Sequence, residues 1–348
     1  MKKQSLFIFL ISAILCSCDI QSDHNGSEDK DDSQDPSTEL PEYMVAPKLQ
    51  LTPASVSAAC AYAQSALELA SSTDMDYTSG KIPSPLPADA EQVNKLWSAL
   101  YGAVGQLDAL INQDWDEEYT PVLRFYRGLC FFELYYFWQN IPLWLSDREN
   151  LAEIPQALPQ EALDIVMDDL FYVKHAASRC NPQVFEGDMD MYINAICGVI
   201  LSIHRQRLAD ARVEFDTIIG SGHYQLPSDG GTSPQAGKLG SYIPAGASAY
   251  DDILLHSALI RFQMGHVVDA IDFMNQLYIW NGKNPVMTLT LNEIKSFRRE
   301  LKDCRSLGFW RSFQETDQEL GIPSSAAFFP IPSEYLALNP NTRQNQGY

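Results

Sequence analysis

The stretch Ala90–Asn112, AEQVNKLWSALYGAVGQLDALIN, makes the first decision about fold. Val93, Trp97, Leu100, Val104, Leu107 and Ile111 step by four and three residues, which lays them along one stripe of a helix. Asp89 and Gln92 have the spacing of a capping box at its start. Working outward, Thr52-Pro53 reads as a cap followed by a first-turn proline, opening an Ala- and Leu-rich helix over Pro53–Ser71. The same periodicity predicts helices over Pro121–Gln139, Gln160–Ala177, Met189–His204, Leu208–Gly220, Ala249–Met264, His266–Ile279 and Leu291–Leu301, the last capped by Thr290 with Glu293. Continuous alternating strands are nearly absent. Gly and Pro mark loops at Tyr77–Ala88, Asn140–Pro159, Tyr224–Ser248 and Asn281–Thr288.

Two helix pairs look alike. Ala195–Phe215 places Ile200, His204, Leu208, Asp210 and Ala211 where Leu254–Met274 places Leu259, Gln263, Val267, Asp269 and Ala270. A helix, a short polar turn and a helix opening with Asp-Ala is the layout of a tetratricopeptide-type repeat, which buries a face by stacking on neighbours. The expected fold class is therefore all-α, built of tetratricopeptide-like helix pairs with irregular loops.

The N-terminus has a different character. Met1-Lys2-Lys3 followed by an apolar run from Leu6 to Leu15 matches a secretory signal peptide and is too short to span a bilayer. Leu15-Cys16-Ser17-Cys18 resembles a lipobox, which implies cleavage after residue 17 and acylation of Cys18. More than one acyl chain on that residue would anchor the protein firmly. From 18 to 40 the chain carries eight acidic residues against Lys30, with almost nothing to bury, and reads as a disordered acidic tether. The expected organisation is a signal peptide over 1–17, a lipidated Cys and tether over 18–40, and one helical domain over 41–348.

Charge and chemistry exclude several functions. With 24 Lys+Arg against 45 Asp+Glu, a formal net charge of −21, the chain is poorly suited to nucleic acid. Beyond Cys18, the mature cysteines Cys60, Cys130, Cys180, Cys197 and Cys304 form no CxxC pair and fall mostly on apolar helix faces, as buried thiols do. No HExxH or paired-histidine motif occurs, so no metal and no cofactor is expected. There is no GxSxG elbow for a catalytic serine. The adjacent carboxylates Asp168-Asp169 and Asp251-Asp252 point to different helix faces, which is poor geometry for glycoside hydrolysis; solvation and capping are their expected roles.

Several segments carry a family resemblance. They are Leu96-Trp97 with Tyr101; Arg124-Phe125-Tyr126-Arg127-Gly128 through Phe131-Phe132-Glu133-Leu134 to Asn140-Ile141-Pro142-Leu143; and Val213 to Leu226. To these are added Arg298-Arg299-Glu300-Leu301, and the closing Phe328-Phe329-Pro330-Ile331-Pro332-Ser333-Glu334 with Asn339-Pro340-Asn341 and Gln344 to Tyr348. In this order they resemble the SusD/RagB family, from about residue 90 onward. The resemblance implies a non-enzymatic lipoprotein facing the exterior at the outer membrane, partnered with a SusC-like TonB-dependent transporter. It implies capture of an oligosaccharide, or a peptide, and no catalytic residues. The Tyr224–Tyr250 stretch is short beside the ligand-side insertion of relatives. A helical scaffold of the transporter complex without its own glycan site is the alternative.

A sugar ring has an apolar face and a rim of hydroxyls, so it calls for exposed aromatics with polar neighbours. Loop aromatics meet that need better than those on helix stripes. The candidate ligand residues are Asp74, Asp76 and Tyr77, Trp115 beside Asp114, Tyr242, and Trp280 with Asn281. Trp97 and Trp138 fall on apolar stripes and are expected in the core, and Trp144 beside Pro142 is expected in packing.

Overall fold

A computed structural model describes residues 40–73, 86–145, 149–176, 180, 184–203, 207–242, 249–298, 328–346 and 348. The expected signal peptide, Cys18 and the acidic tether lie outside the described residues, as do Arg299-Glu300-Leu301 and Cys304.

Helices dominate. They are α1 (Pro53–Ser72), α2 (Glu91–Ile111), α3 (Thr120–Trp138), α4 (Pro159–Ala176), α5 (Met189–Ile203), α6 (Leu208–Gly220), α7 (Tyr250–Gln263), α8 (Val267–Trp280), α9 (Leu291–Arg298) and a short α10 (Ser333–Leu338). Each predicted helix is present within a residue or so where its ends are described. The expected cap on α1 forms: Thr52 and Ser55 satisfy each other's backbone N–H groups. Thr290 and Glu293 do the same ahead of α9. The Asp89–Gln92 box does not form. The N-cap of α2 is Ala90, without a side-chain cap bond, so the helix starts on packing rather than on that pair. The loop predicted at Tyr224–Ser248 contains a strand, β2 (Gly237–Leu239), which pairs antiparallel with β1 (Phe185–Gly187). Glu186 and Lys238 oppose each other in that ribbon and form an ion pair at 2.9 Å.

Successive helices pack as neighbours from α1 through α8, with α1 also against α3. The α3 helix is apolar on nearly every side and is buried from Phe125 to Trp138, as a helix flanked by α1, α2 and α4 must be. Trp97 and Trp138 meet edge to face at 4.9 Å, both wholly buried. The two look-alike pairs are α5–α6 and α7–α8. Their equivalent residues Ala211 and Ala270 are both fully buried at the start of the second helix. Close packing inside the first pair depends on Gly198, where a Cβ would stand 2.6 Å from the Phe215 ring.

The Asp168-Asp169 expectation is corrected here. Asp168 is exposed, but Asp169 is wholly buried, and Arg127 donates to it from Nε and Nη2 at 2.8 and 2.7 Å. A third nitrogen of Arg127 reaches Asp108 at 2.6 Å, so one guanidinium ties α2, α3 and α4 together. Its two carboxylate partners outweigh the burial that opposes its charge and hold Arg127 protonated.

The C-terminal segment closes the body. Gln139 ends α3 at a positive φ of 62° and leaves the last carbonyls of the helix without helical partners. Asn345 donates to Trp138 O at 3.0 Å and to Phe329 O at 2.7 Å. The Trp138 indole donates to Pro330 O at 2.8 Å, and Phe329 N to Phe137 O at 2.8 Å. Gln344 exchanges two bonds with Ile331, at 2.6 and 2.9 Å. Asn339, fully buried, donates to Ile154 O at 2.9 Å. The polar residues of the closing motif thus act as substitutes for missing backbone partners.

Candidate functional site

The loop between α2 and α3 is assembled around one carboxylate. Asp114 is buried and accepts from the backbone N–H groups of Glu118, Tyr119 and Thr120 and from the Thr120 hydroxyl, at 3.2, 2.7, 2.5 and 2.9 Å. It takes over the capping of α3, whose own N-cap Tyr119 has no side-chain bond. Glu117 adopts a φ of 53° within this turn. The next residue after the anchor, Trp115, is 90% exposed. An indole so exposed on a loop so firmly held is a flat apolar platform facing water.

Two residues on in the same turn, Glu117 ties this loop to α4. Tyr172 of α4 donates its hydroxyl to Glu117 Oε2 at 2.9 Å. Arg124 lies over the Tyr172 ring at 4.5 Å and pairs with Asp168 at 3.1 Å. The loop thus carries an exposed indole, and the contact it makes with α4 carries a tyrosine, two carboxylates and a guanidinium. Such a set suits stacking on a sugar ring with hydrogen bonds to its hydroxyls. Sequence reasoning named Trp115 beside Asp114 as a candidate and did not name Tyr172, Glu117, Arg124 or Asp168. The one local signal was Glu117, two residues from Trp115.

The other candidates lie elsewhere. Asp74, Asp76 and Tyr77 are outside the described residues. Tyr242 was expected as a loop platform, but its ring is wholly buried and its hydroxyl bonds to the buried Glu133 of α3. Burial, then the Glu133 charge, raise the phenol well above its ordinary range. Trp280 is 9% exposed, and its indole donates to Gly231 O at 3.2 Å, seating the 224–242 segment on α8. Asn281 bonds back to Leu277 O at 3.4 Å at the helix end. Among the described residues no ring contact or hydrogen bond joins Trp115, Tyr242 and Trp280. Among the same residues no group of three or more His, Cys, Asp and Glu is placed to hold a metal ion, and no helix is long and apolar enough to cross a membrane.

No protein-family model and no curated protein matches the chain. Solved structures do match. A SusD superfamily protein from Parabacteroides distasonis superposes with a TM-score of 0.61 at 14% identity, covering 86% of this chain and 100% of that one. The fold is SusD-like. A laminarin-binding SusD-like protein matches with a TM-score of 0.56 at 12% identity, over 86% of this chain and 100% of that one. Surface glycan-binding protein A from Bacteroides uniformis matches at 0.52 and 12%, over 72% and 84%. The all-α expectation and the family resemblance in the sequence agree with this SusD-like architecture. Its helical body now has a physical account in the Arg127 ion pair and the C-terminal closure.

Proposed function

We propose that this chain is a non-enzymatic, surface-exposed carbohydrate-binding lipoprotein. Its SusD-like body over 41–348 would be held at the outer membrane through acylated Cys18 and the acidic tether. It would capture an oligosaccharide and pass it to a SusC-like TonB-dependent transporter. The observation that carries the reading is Trp115, an indole nine-tenths exposed on a loop fixed by Asp114. Structural neighbours described as glycan-binding and laminarin-binding support the ligand class. Binding without turnover agrees with the split of Asp168 and Asp169 into an exposed and a buried carboxylate, which leaves that pair unfit for acid–base work on a glycosidic bond.

The test is calorimetric titration of the domain from about residue 40 with oligosaccharides, together with assay for released reducing ends. Binding without product release supports the proposal, and product release overturns it. One observation favours the scaffold alternative: Tyr242 and Trp280 serve packing rather than display. In that case no glycan binds, yet the chain still copurifies with a barrel transporter.

A further inference from the structure

We propose that a groove between α1, α2 and the segment at 42–47, away from the Trp115 platform, is a binding site for a neutral saccharide. This rests on the carbohydrate reading above and adds a site to it. The cavity is about 450 Å³, within the size of small-molecule sites, about 300–1,000 Å³. Four aromatic residues, Tyr43, Tyr62, Tyr101 and Trp144, are among those that line it. The room for them comes from α2. A Cβ on Gly105 would stand 3.0 Å from the Trp144 ring, and one on Gly102 2.9 Å from the Tyr62 hydroxyl.

What marks the groove as a site is an aromatic lining with polar side chains along it. Glu42, Tyr43, Tyr62, Lys95 and Gln106 converge on it. None of their side chains has a hydrogen-bond partner among the described residues. Glu42, Tyr62 and Lys95 are exposed, so this carboxylate, ammonium and phenol are open to water, as the Gln106 amide and the Tyr43 phenol are in part. They can accept from and donate to the hydroxyls of a ring lying against the tyrosines. Burial, and then the nearby Glu42 charge, push the Tyr62 phenol up, so it is a donor at neutral pH. Opposite charges at Glu42 and Lys95 leave the groove without a net preference for anions or cations, which favours a neutral ligand.

The experiment titrates laminarihexaose, xylohexaose, mannohexaose and maltohexaose into the wild-type domain, then repeats the tightest pair with Tyr62→Ala, Lys95→Ala and Gln106→Ala. Melting temperature is recorded for each. At least a tenfold loss of affinity in Tyr62→Ala and Lys95→Ala, with melting unchanged in the exposed Lys95→Ala, supports the site. Wild-type affinity in all three variants, with binding still lost in Trp115→Ala, overturns the groove and leaves the proposed function standing. No binding of any hexasaccharide by the wild type overturns both.

Discussion

Arg127 on α3 and Asp169 on α4 form a bidentate ion pair at 2.7 and 2.8 Å with both side chains withdrawn from water. The same guanidinium closes on Asp108 of α2. Removing it leaves Asp108 and Asp169 buried without their shared cation, with only Arg124 still 3.6 Å from Asp169. Arg127→Met should therefore cost about 3–5 kcal/mol, the range for breaking a buried pair from one side. Urea denaturation of the variant checks this, and a loss below 1 kcal/mol would contradict the buried pairing.

Asn345 is the second lever. Its amide serves two carbonyls, Trp138 O and Phe329 O, and both are lost in Asn345→Ala. Trp138 O keeps the Asn140 N–H at 2.7 Å, so Phe329 O is the acceptor that loses its partner, at a cost of about 1–3 kcal/mol. Asn345→Asp should do no better, because a carboxylate cannot donate to either carbonyl. Thermal melts of the pair distinguish this account from simple loss of volume.

Gly198→Ala should destabilise by about 1–3 kcal/mol, because the new methyl meets the Phe215 ring inside van der Waals contact. Combining it with Phe215→Leu should recover part of the loss. An additive double variant, measured by the same melts, would show that the two do not touch.

Burial pushes the Cys60 thiol up to about 12 from an ordinary value of 9.0. The folded state therefore keeps its proton where the unfolded chain gives it up. The stability that follows is fully present below about pH 9 and is lost as pH rises toward 12. Burial acts in the same direction on Cys180, also up to about 12. Iodoacetamide should modify the folded protein slowly at pH 8, because little thiolate is present. Rapid labelling of Cys60 under those conditions would refute the buried-thiol reading.

Trp115→Ala should leave stability within about 0.5 kcal/mol, as for an exposed residue. Asp114→Ala should lower it by about 1–2 kcal/mol through loss of the α3 cap. If Trp115 is a sugar platform, both variants weaken oligosaccharide binding, the first without any change in melting temperature. Equal binding by Trp115→Ala and wild type would remove this loop from the site.

The helical body was legible because periodicity is local. The stripe from Val93 to Ile111 and the cap at Thr52 are written within a few residues, and both appear as read. What failed depended on distant partners. Asp169 looked like a solvated carboxylate until Arg127, 42 positions away, met it. Tyr242 looked displayed because it sits among Gly, Ser and Pro, yet Glu133, 109 positions away, draws its hydroxyl inside. The exposure of Trp115 was legible because its loop is short and its anchor, Asp114, is adjacent. The Tyr172 and Arg124 surroundings come from α3 and α4 meeting, which spacing alone does not encode. The groove of Tyr62 and Gly102 was invisible for the same reason, since α1 and α2 each read as ordinary helices.

The bond from Asn345 to Trp138 spans 207 positions. Until the residues beyond 328 arrive, Phe137 O lacks the Phe329 N–H and the Trp138 indole lacks its Pro330 acceptor. The body is thus stitched shut by a late-made thread, and contacts so far apart in sequence slow the final step of folding. A chain cut before that thread would have its helices without their fastening, and its α3 end would be the place where a chaperone or protease finds purchase.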